Sequence, residues 1–349
     1  MSKAAELAKM GEVITNGQVG GRRNIIINGA MQVAQRSTSV TGIGASGGYF
    51  TVDRFKVDFS GSAGRFTMSQ STDTPDGFGN SIKLDCTTAD TSIGASEIAL
   101  FQYLIEGQDL QQFKKGTSDA EKMTLSFYVK GNGNATYVME LYDNDNARQI
   151  SKTFSVTSSW TRVVLTYDGD TTGAFGNDNA LSLYAQIWLH AGSNFTSGTL
   201  SDSWSSVTSA NRAVGISSFY SSTDNEFYIT GLQLEVGEKA TPFEHLSVGE
   251  TQALCERYYY QSPIYTDYPA FNYAGTGITC VPLSTHMRAS PSITDQTGST
   301  YYEAGSGRSY SPSDAGANPE WVRVRGTVSG GTSGYAGTMY PKFIADAEL

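Results

Sequence analysis

The sequence predicts an all-β protein built around a jelly-roll β-sandwich, with a short N-terminal helical arm, a short linking helix and a smaller C-terminal β-domain. Two observations lead to this fold class. The chain has 38 glycines, 20 tyrosines and 16 phenylalanines; aromatic side chains suit a pleated sheet, and glycine permits the positive φ of tight turns. Many short segments also alternate apolar and polar residues between turn clusters, which is typical of sandwiches and jelly rolls.

Residues 1–23 form the N-terminal arm, which differs in character from the rest of the chain. Leu7, Met10 and Ile14 recur at i, i+3 and i+7, so they would share one narrow apolar stripe on a helix. A helix of about 15 residues is marginal by itself in water. We therefore expect this stripe to dock, either on copies of itself or on another protein.

Residues 24–246 carry the period-two pattern of the predicted jelly roll. The stretch "TLSFYVK" and the stretch "LSLYAQIWLH" each place apolar residues on one face and polar or aromatic residues on the other. Each strand is therefore predicted to have one buried and one solvent-facing side. The residues predicted on the solvent-facing sides are Tyr128, Lys130, Tyr184, Gln186 and Trp188.

These solvent-facing residues are candidates for glycan binding. Aromatic side chains offer flat apolar faces on which sugar rings stack, and the neighbouring lysine and glutamine supply hydrogen bonds. Large exposed aromatics such as Trp188 and Tyr184 call for a covering partner. The alternative to a glycan is a neighbouring chain packed on the same face.

The C-terminal part of the chain is predicted to begin with a helix. Residues 247–262 place Ala253, Leu254 and Tyr258 at helical spacing, which predicts a short linking helix. Residues 263–349 return to short alternating segments between turns rich in glycine and serine. They predict a smaller β-domain, the C-terminal tip.

Glu235 is an acid inside the strand-like run "YITGLQLEV". Alternation places Leu234 inward and sets Gln233 and Glu235 together on the opposite face. We favour a structural role, with Glu235 hydrogen-bonded to Gln233 at a sheet edge or an interface, over a calcium ligand. Catalysis is disfavoured, because a catalytic acid needs a second carboxylate at a defined separation.

The stretch "YDNDNAR" has the oxygen-rich composition of a calcium loop. Asp143 and Asp145 stand beside asparagines, but the full spacing and the distal glutamate of an EF-hand loop are absent. A hairpin turn made from good turn-forming residues is the favoured interpretation.

The sequence contains no set of residues typical of an active site or a metal centre. His190, His245 and His286 are isolated, and the three cysteines are widely spaced without a C-x-x-C pair. The serine of "GASGG" lacks the strand-to-helix context of a nucleophile elbow. We therefore predict no enzymatic activity, no metal and no cofactor, with a structural calcium at Glu235 as the alternative considered.

Charge and hydropathy exclude two classes of partner. The net charge of −10 disfavours a nucleic-acid-binding surface, which needs clustered lysine and arginine. The sequence shows neither an apolar run of membrane-spanning length nor the pattern of a signal peptide. We expect that the protein does not insert into a membrane. We also expect that it is synthesised in a host cytoplasm.

The chain resembles bacteriophage and prophage tail-fibre or virion surface proteins between residues 24 and 261. The resemblance is carried by stretches that occur in the same order: "NIIINGAMQVAQR", "YFTVDRF", "IEGQDLQQF", "MTLSFYVKG", "TRVVLTYDGDTTG", "YITGLQLEVGEKATPFEH" and "ALCERYYYQ". That family is in turn similar to jelly rolls of the carbohydrate-binding-module type, in which the opening "NG" strand lies near the closing "GLQLE" strand.

The resemblance implies a structural protein exposed on the virion surface, a tail fibre or adhesin that recognises a host glycan or receptor without catalysis. It also implies a homotrimer, with the arm attached to other virion proteins. A capsid-decorating or head-fibre protein is the alternative. A polysaccharide-degrading tailspike is less favoured, because the sequence shows no solenoid repeat. Related modules often hold a structural calcium, whereas Met31 and Gln32 follow the opening "NG" here.

Overall fold

The computed structural model describes Lys3 and residues 22–263, 266–295, 299–303 and 305–349. Within this part the chain divides into two units, one ending at Val248 and also including Leu349, the other running from Gly249 to Glu348. The predicted docking stripe of the N-terminal arm lies outside the described residues. No helix among the described residues is long and apolar enough to cross a membrane.

The first unit is a sandwich of two antiparallel sheets. A six-stranded sheet has the order β1-β4-β5-β13-β7-β10, and a seven-stranded sheet has the order β12-β9-β8-β11-β6-β3-β2. The predicted all-β sandwich is confirmed. Its strands are β1 (Ser39–Ile43), β2 (Gly48–Tyr49), β3 (Phe55–Ser60), β4 (Arg65–Ser71), β5 (Ser81–Thr88), β6 (Ile98–Glu106), β7 (Met123–Gly131), β8 (Ala135–Asp143), β9 (Arg148–Val156), β10 (Thr161–Tyr167), β11 (Leu181–Ala191), β12 (Ser205–Ser206) and β13 (Glu226–Val236).

Between β1 and β13, the helical turns lie in the connections between strands. They are the 3-10 helices Gly107–Phe113, Ser209–Asn211 and Phe219–Ser221 and the short α-helix Ser193–Thr196.

The core of the first unit lies between its sheets and follows the predicted alternation. On β7, Leu125, Phe127 and Val129 are fully buried, and on β11 Leu183 and Ile187 are buried in the same way. Burying a side chain such as Phe127 stabilises a fold by roughly 1.5–3 kcal/mol. The inward alternation therefore determines which faces of the strands meet.

The resemblance implies a strand at the opening segment "NIIING", and the structure has none there. Residues 24–30 are irregular and buried. They lie along β13: Ile25 N donates to Leu234 O at 3.1 Å and Leu232 N donates to Gly29 O at 3.0 Å. The Asn24 side chain competes for the same backbone, since its Nδ2 donates to Leu232 O at 3.0 Å and its Oδ1 accepts from Leu234 N at 3.1 Å.

A glycine is required where the opening segment meets β13. A Cβ on Gly29 would lie 2.1 Å from Leu232 O, closer than any side chain permits. The opening and closing segments of the sandwich therefore lie side by side, as the resemblance implies.

Glu235 is buried in β13 and has a structural role. Its Oε2 accepts from Gln233 Nε2 at 2.8 Å and from Thr241 N at 3.1 Å, and its Oε1 accepts from the Thr241 hydroxyl. The predicted Gln233–Glu235 contact is confirmed. Pairing of β13 with β5 ends at Ile229, so near Glu235 the strand pairs with β7 on one side, and the opening segment bonds to its other side at Leu232 and Leu234. A bulge at Gly231, whose φ is 65°, brings Leu232 back to the inward face.

The second unit contains a closed barrel with strand order β15-β16-β20-β19-β18-β21 and a three-stranded sheet β14-β22-β17. Alternate residues of β20, including Val322 and Val324, are fully buried with Val281, Tyr301 and Met339. The predicted smaller C-terminal β-domain is confirmed. Its strands are β14 (Tyr259–Gln261), β15 (Tyr268–Tyr273), β16 (Thr276–Pro282), β17 (Ser292–Asp295), β18 (Thr300–Glu303), β19 (Ser306–Asn318), β20 (Trp321–Ser329), β21 (Ala336–Tyr340) and β22 (Phe343–Asp346).

The linking helix is shorter than the predicted 247–262. It spans Val248–Glu256, and Tyr259–Gln261 is a strand paired with β22. The sequence "YYY" explains the difference, because consecutive aromatic residues favour a strand over a helix.

The "YDNDNAR" stretch forms the hairpin turn between β8 and β9, as predicted. Asp143 Oδ1 accepts hydrogen bonds from Asp145 N at 2.9 Å and from Asn146 N at 3.1 Å. A side-chain carboxylate that accepts from following backbone N–H groups is a common way to close a turn. The turn therefore explains this acidic cluster without a metal ion.

A lysine ammonium neutralises the acids at this turn. Lys115 is buried, and its Nζ lies 2.6 Å from Asp143 Oδ2 and 3.1 Å from Asp170 Oδ2. It also donates to the carbonyl oxygens of Thr172 and Gly173 at 2.9 and 2.7 Å. The ammonium thus lies at the centre of an oxygen cluster of the kind that a bound cation would otherwise fill.

The pKa of the Asp170 carboxyl group reflects the positive charges beside it. Burial by itself would raise the pKa of Asp170, but hydrogen bonds from Arg148, the Thr172 N–H and Lys115 outweigh burial and lower it below the ordinary value. The ionised Asp170 carboxylate therefore stabilises the fold above the ordinary aspartate pKa. This stabilisation is lost as the pH falls through the lowered value.

We expect Lys115→Met to reduce the free energy of unfolding of the first unit by about 3–5 kcal/mol, because it leaves the Asp143 carboxylate buried without its cation, although Asp170 keeps its ion pair with Arg148. Denaturant unfolding near neutral pH measures this loss. Lys122→Met is the matched control: Lys122 is half exposed in its ion pairs with Asp168 and Glu238, and such pairs contribute about 0–1 kcal/mol. Equal effects of the two substitutions would contradict a stabilising role for the buried ammonium.

Candidate functional site

The residues predicted to bind glycan lie on two different sheets. Tyr128 and Lys130 belong to β7 of the six-stranded sheet, whereas Tyr184, Gln186 and Trp188 belong to β11 of the seven-stranded sheet. Each group lies on the outer face of its own sheet. The two groups therefore form two separate surfaces.

Tyr128 and Lys130 are already engaged by their own unit. The Phe78 ring centre lies 5.3 Å from that of Tyr128. Lys130 forms an ion pair with Asp73, and its Nζ lies 4.7 Å from the ring centre of Tyr228. The hydrogen bond from Lys130, followed by that from the Trp160 indole, lowers the pKa of Asp73. This surface is therefore largely satisfied by internal contacts.

Trp188 lies on the predicted face of β11 but is not exposed. Its relative accessibility is 1%, which corrects the expectation of a solvent-facing indole. Residues 192–218, here called the covering segment, pass over this part of the sheet. Phe195 packs on Trp188 with ring centres 5.2 Å apart, and Ala213 joins the same apolar cluster. Strand periodicity could not reveal a distant segment folded over the sheet.

A row of polar side chains crosses the centre of the seven-stranded sheet. Gln186 lies directly opposite Gln102 on β6 and Glu140 on β8. Gln102 Nε2 donates to Gln186 Oε1 at 2.7 Å, and Gln186 Nε2 donates to Glu140 Oε2 at 2.5 Å. Trp188 Nε1 donates to the same oxygen at 2.8 Å. All these side chains are buried, which also corrects the prediction that Gln186 faces solvent, because its amide is used up by Gln102 and Glu140.

Arg212 completes the network from the covering segment. Its Nε donates to Glu140 Oε1 at 2.8 Å and its Nη2 to Glu140 Oε2 at 2.9 Å. The guanidinium carbon also lies 4.8 Å from the ring centre of Tyr142 and 5.0 Å from that of Trp188. The oxygens of Glu140 are occupied as acceptors, so this acid is not placed to exchange a proton with a ligand.

Two tyrosines form the accessible part of this face. Tyr142 and Tyr184 are opposite each other on β8 and β11, with ring centres 5.7 Å apart, and both are partly exposed. Burial, then Tyr142 and Asp58, raise the pKa of Tyr184, while Arg212 opposes them. The tyrosine pair therefore lies beside a carboxylate and a guanidinium.

Sequence reasoning found Tyr184 and Gln186 but missed Tyr142, Glu140 and Arg212. Alternation in "YVMELYD" places Tyr142 and Glu140 on one face, so the register of β8 against β11 would have found them. Arg212 lies in an irregular segment where no periodicity exists. No local sequence signal could have placed it at the sheet.

The prediction that the histidines are isolated fails for His190. The structure brings His190 together with Asp90 and Glu97, and one ligand atom from each lies within 4.8 Å of the others. These three residues are the group in the described part of the chain that could hold a metal ion.

No protein-family model and no curated protein matches the chain. Among solved structures, the enzymatically active domain of bacteriophage CBA120 tailspike protein 4 matches 61% of this chain at 13% identity with a TM-score of 0.31. The chain spans 21% of that tailspike chain.

Two carbohydrate-binding modules are also similar in structure. A CBM22 xylan-binding domain from Paenibacillus barcinonensis matches 62% of this chain and 96% of its own at 10% identity, with a TM-score of 0.30. A family 11 module from Clostridium thermocellum, in complex with a mixed-linked tetrasaccharide, matches 54% of this chain and 91% of its own at 10% identity, with a TM-score of 0.28.

Proposed function

We propose that the first unit binds a glycan on the outer face of the seven-stranded sheet, without cleaving it. The observation that carries this proposal is the partly exposed Tyr142–Tyr184 pair beside the network of Glu140, Gln186 and Arg212. In this proposal the tyrosine rings stack on the C–H faces of a sugar. The partly exposed Arg212 and Asp58 side chains form hydrogen bonds with its hydroxyl groups.

The arrangement suits a sugar ring for a physical reason. The Arg212 guanidinium and the Gln186 amide are already held by Glu140, so the side chains around the tyrosines lose little conformational freedom on binding. An aromatic contact contributes about 0.5–1.5 kcal/mol beyond the area that it buries. Two adjacent tyrosines therefore favour binding without a deep pocket.

We further propose that the chain is a structural protein of a bacteriophage virion, exposed as a tail fibre or adhesin, with the glycan on a host surface. Between residues 24 and 261, several sequence stretches occur in the same order as in bacteriophage virion surface proteins, and this resemblance supports the role. The proposal includes a homotrimer and attachment to other virion proteins through the N-terminal arm. A capsid-decorating protein or a head fibre is the alternative, and either would bind glycan at the same site. Imaging of the whole particle distinguishes these alternatives from a tail fibre.

We expect Tyr184→Ala to weaken glycan binding about tenfold, which corresponds to roughly 1.4 kcal/mol, because it removes one of the stacking rings. An array of bacterial surface polysaccharides, followed by calorimetry with the best array ligand, measures the change. Tyr128→Ala is the matched control, since Tyr128 is also a partly exposed tyrosine but lies on the other sheet.

Sedimentation of the same variants tests whether a neighbouring chain covers the tyrosine pair instead. A smaller assembly for Tyr184→Ala, with glycan binding unaltered, would assign this face to a subunit interface. Equal binding by the wild type and both variants would refute the proposed site.

Incubation with the bound polysaccharide should release no reducing ends. The reason is that the oxygens of Glu140 are occupied by Arg212, Gln186 and Trp188, which leaves no free acid pair at the tyrosines. A colorimetric assay for reducing sugar checks this, with a known glycosidase as the positive control. Cleavage that disappears in Glu140→Gln would show the proposal of non-catalytic binding to be wrong.

Deletion of residues 2–20 should leave both units folded and abolish incorporation into virions, if Leu7, Met10 and Ile14 form the docking stripe. Circular dichroism of the purified chain and immunoblotting of purified particles give the two measurements. The triple substitution of these residues by serine keeps the arm length and serves as the finer test. Normal incorporation of both variants would reject docking through the arm.

A further inference from the structure

We propose that Asp90, Glu97 and His190 form a binding site for one divalent cation of the zinc class. The site lies at the end of β11, away from the tyrosine pair, and its existence does not depend on glycan binding. It is assembled from three separate parts of the chain: the connection after β5, the residue before β6, and β11 itself.

The geometry of the three side chains fits a shared cation. One ligand atom from each residue lies within 4.8 Å of the other two. His190 and Asp90 are buried, and the Glu97 side chain is 15% accessible. Zinc bonds to nitrogen and carboxylate oxygen are about 2.0–2.2 Å long, so a small contraction of this cluster would place all three atoms around one ion. Glu97 remains accessible enough to give the ion an entry path.

The imidazole of His190 is oriented for such a role. Its Nδ1 lies 2.8 Å from Ser218 Oγ, and its Nε2 faces Glu97 Oε2 at 3.2 Å. Ser218 is itself held in place, because its Oγ accepts from Tyr220 N at 3.2 Å. Histidines that bind metals usually have the second ring nitrogen fixed by a hydrogen bond of this kind. The Nε2 atom is therefore the one directed at the Glu97 carboxylate.

The charge of the cluster favours a divalent ion. Neither Asp90 nor Glu97 forms an ion pair with a lysine or arginine among the described residues, and the imidazole is their nearest basic group. Asp90 is nonetheless held as an acceptor by the Ala63 N–H at 2.7 Å and the Ser62 hydroxyl at 3.0 Å. Buried carboxylates require compensation, and Lys115 and Arg212 provide it elsewhere in this unit. Here a divalent cation would supply the missing charge.

The ligand types select the class of metal. One imidazole nitrogen and two carboxylates, with a water molecule in the fourth position, are a set that zinc accepts in four-coordinate sites. Calcium prefers six to eight oxygen ligands and magnesium retains several waters. The imidazole therefore favours zinc or a related transition metal over calcium and magnesium.

A bound ion would hold together the residues to which the two ends of the covering segment are attached. Gly192 N donates to Glu97 O at 2.8 Å at one end of this segment, and Asp90 N donates to Tyr220 O at 2.8 Å just beyond the other. The ion would join Glu97 and Asp90 to His190 of β11 through their side chains. We therefore expect zinc to raise the unfolding temperature of the first unit, because a ligand that binds only the folded state stabilises it.

The experiment uses the full chain with Cys280→Ser, which removes the exposed thiol, after treatment with a chelator. Zinc chloride is titrated by calorimetry and by competition with a fluorescent zinc chelator. We expect one equivalent to bind and His190→Gln to weaken binding by more than about 100-fold, beyond the roughly 10- to 100-fold effect of residues that only orient ligands. Ser218→Ala should weaken zinc binding by only roughly 10- to 100-fold, because Ser218 orients the His190 imidazole without binding the ion.

Matched controls separate this site from adventitious binding. His286→Gln removes an imidazole whose side chain is 64% accessible and should leave the affinity unchanged. Calcium chloride should give no comparable rise in the unfolding temperature.

Glu97→Gln is the decisive variant if His190→Gln does not fold, because Glu97 is the most accessible of the three ligands. Cobalt substitution gives a second readout, since the visible absorption of bound cobalt should change in this variant. Absence of zinc binding above the level of exposed histidines, or an affinity unaltered by Glu97→Gln, would overturn the proposal.

Discussion

The bidentate contact between Arg212 and the buried carboxylate of Glu140 is the interaction on which the outer face of the seven-stranded sheet depends. Glu140 lies in the middle of an otherwise tightly packed sheet, where an unpaired charge would be strongly destabilising. Arg212 reaches it from the covering segment, and Gln186 and Trp188 donate from the neighbouring strand. One electrostatic requirement thus fixes the segment, buries the indole and leaves the two tyrosines at the accessible end.

Other buried acids of the first unit also need a cation or hydrogen-bond donors to compensate their charge. Each of them obtains this compensation from different residues. Asp143 and Asp170 are neutralised by the ammonium of Lys115 together with the guanidinium of Arg148. Glu235 is satisfied by hydrogen bonds from Gln233 and Thr241. A chain with an excess of acidic residues therefore folds by giving each buried carboxylate its own set of donors. Asp90 and Glu97 stand apart, because Asp90 accepts hydrogen bonds from neutral donors only and the basic group beside Glu97 is the His190 imidazole.

The covering segment connects the two proposed sites. Its beginning lies next to Glu97 and the end of β11, and Arg212 near its other end holds Glu140. Apolar contacts of Phe195 and Ala213 fasten it between these points. The tyrosine pair owes its exposure to where this segment ends.

The sequence by itself determined the all-β class, the smaller C-terminal domain and the inward faces of strands such as β7 and β11, because a period of two reports directly which side chains point to a core. It also identified the Gln233–Glu235 contact, since two residues of one strand lie on the same face whatever the fold. Prediction from the local sequence failed at two places. In the opening segment the Asn24 side chain competes with the backbone for hydrogen bonds, and in the linking helix consecutive tyrosines end the helix early.

The tertiary structure alone decided which outer faces are accessible. Trp188 is buried, and His190 meets Asp90 and Glu97, because residues far apart in the chain fold onto the end of β11. Strand alternation assigns a side chain to a face but contains no information about what covers that face. The register of β8 against β11 and the path of the covering segment supply that information, and both arise from contacts between distant parts of the chain.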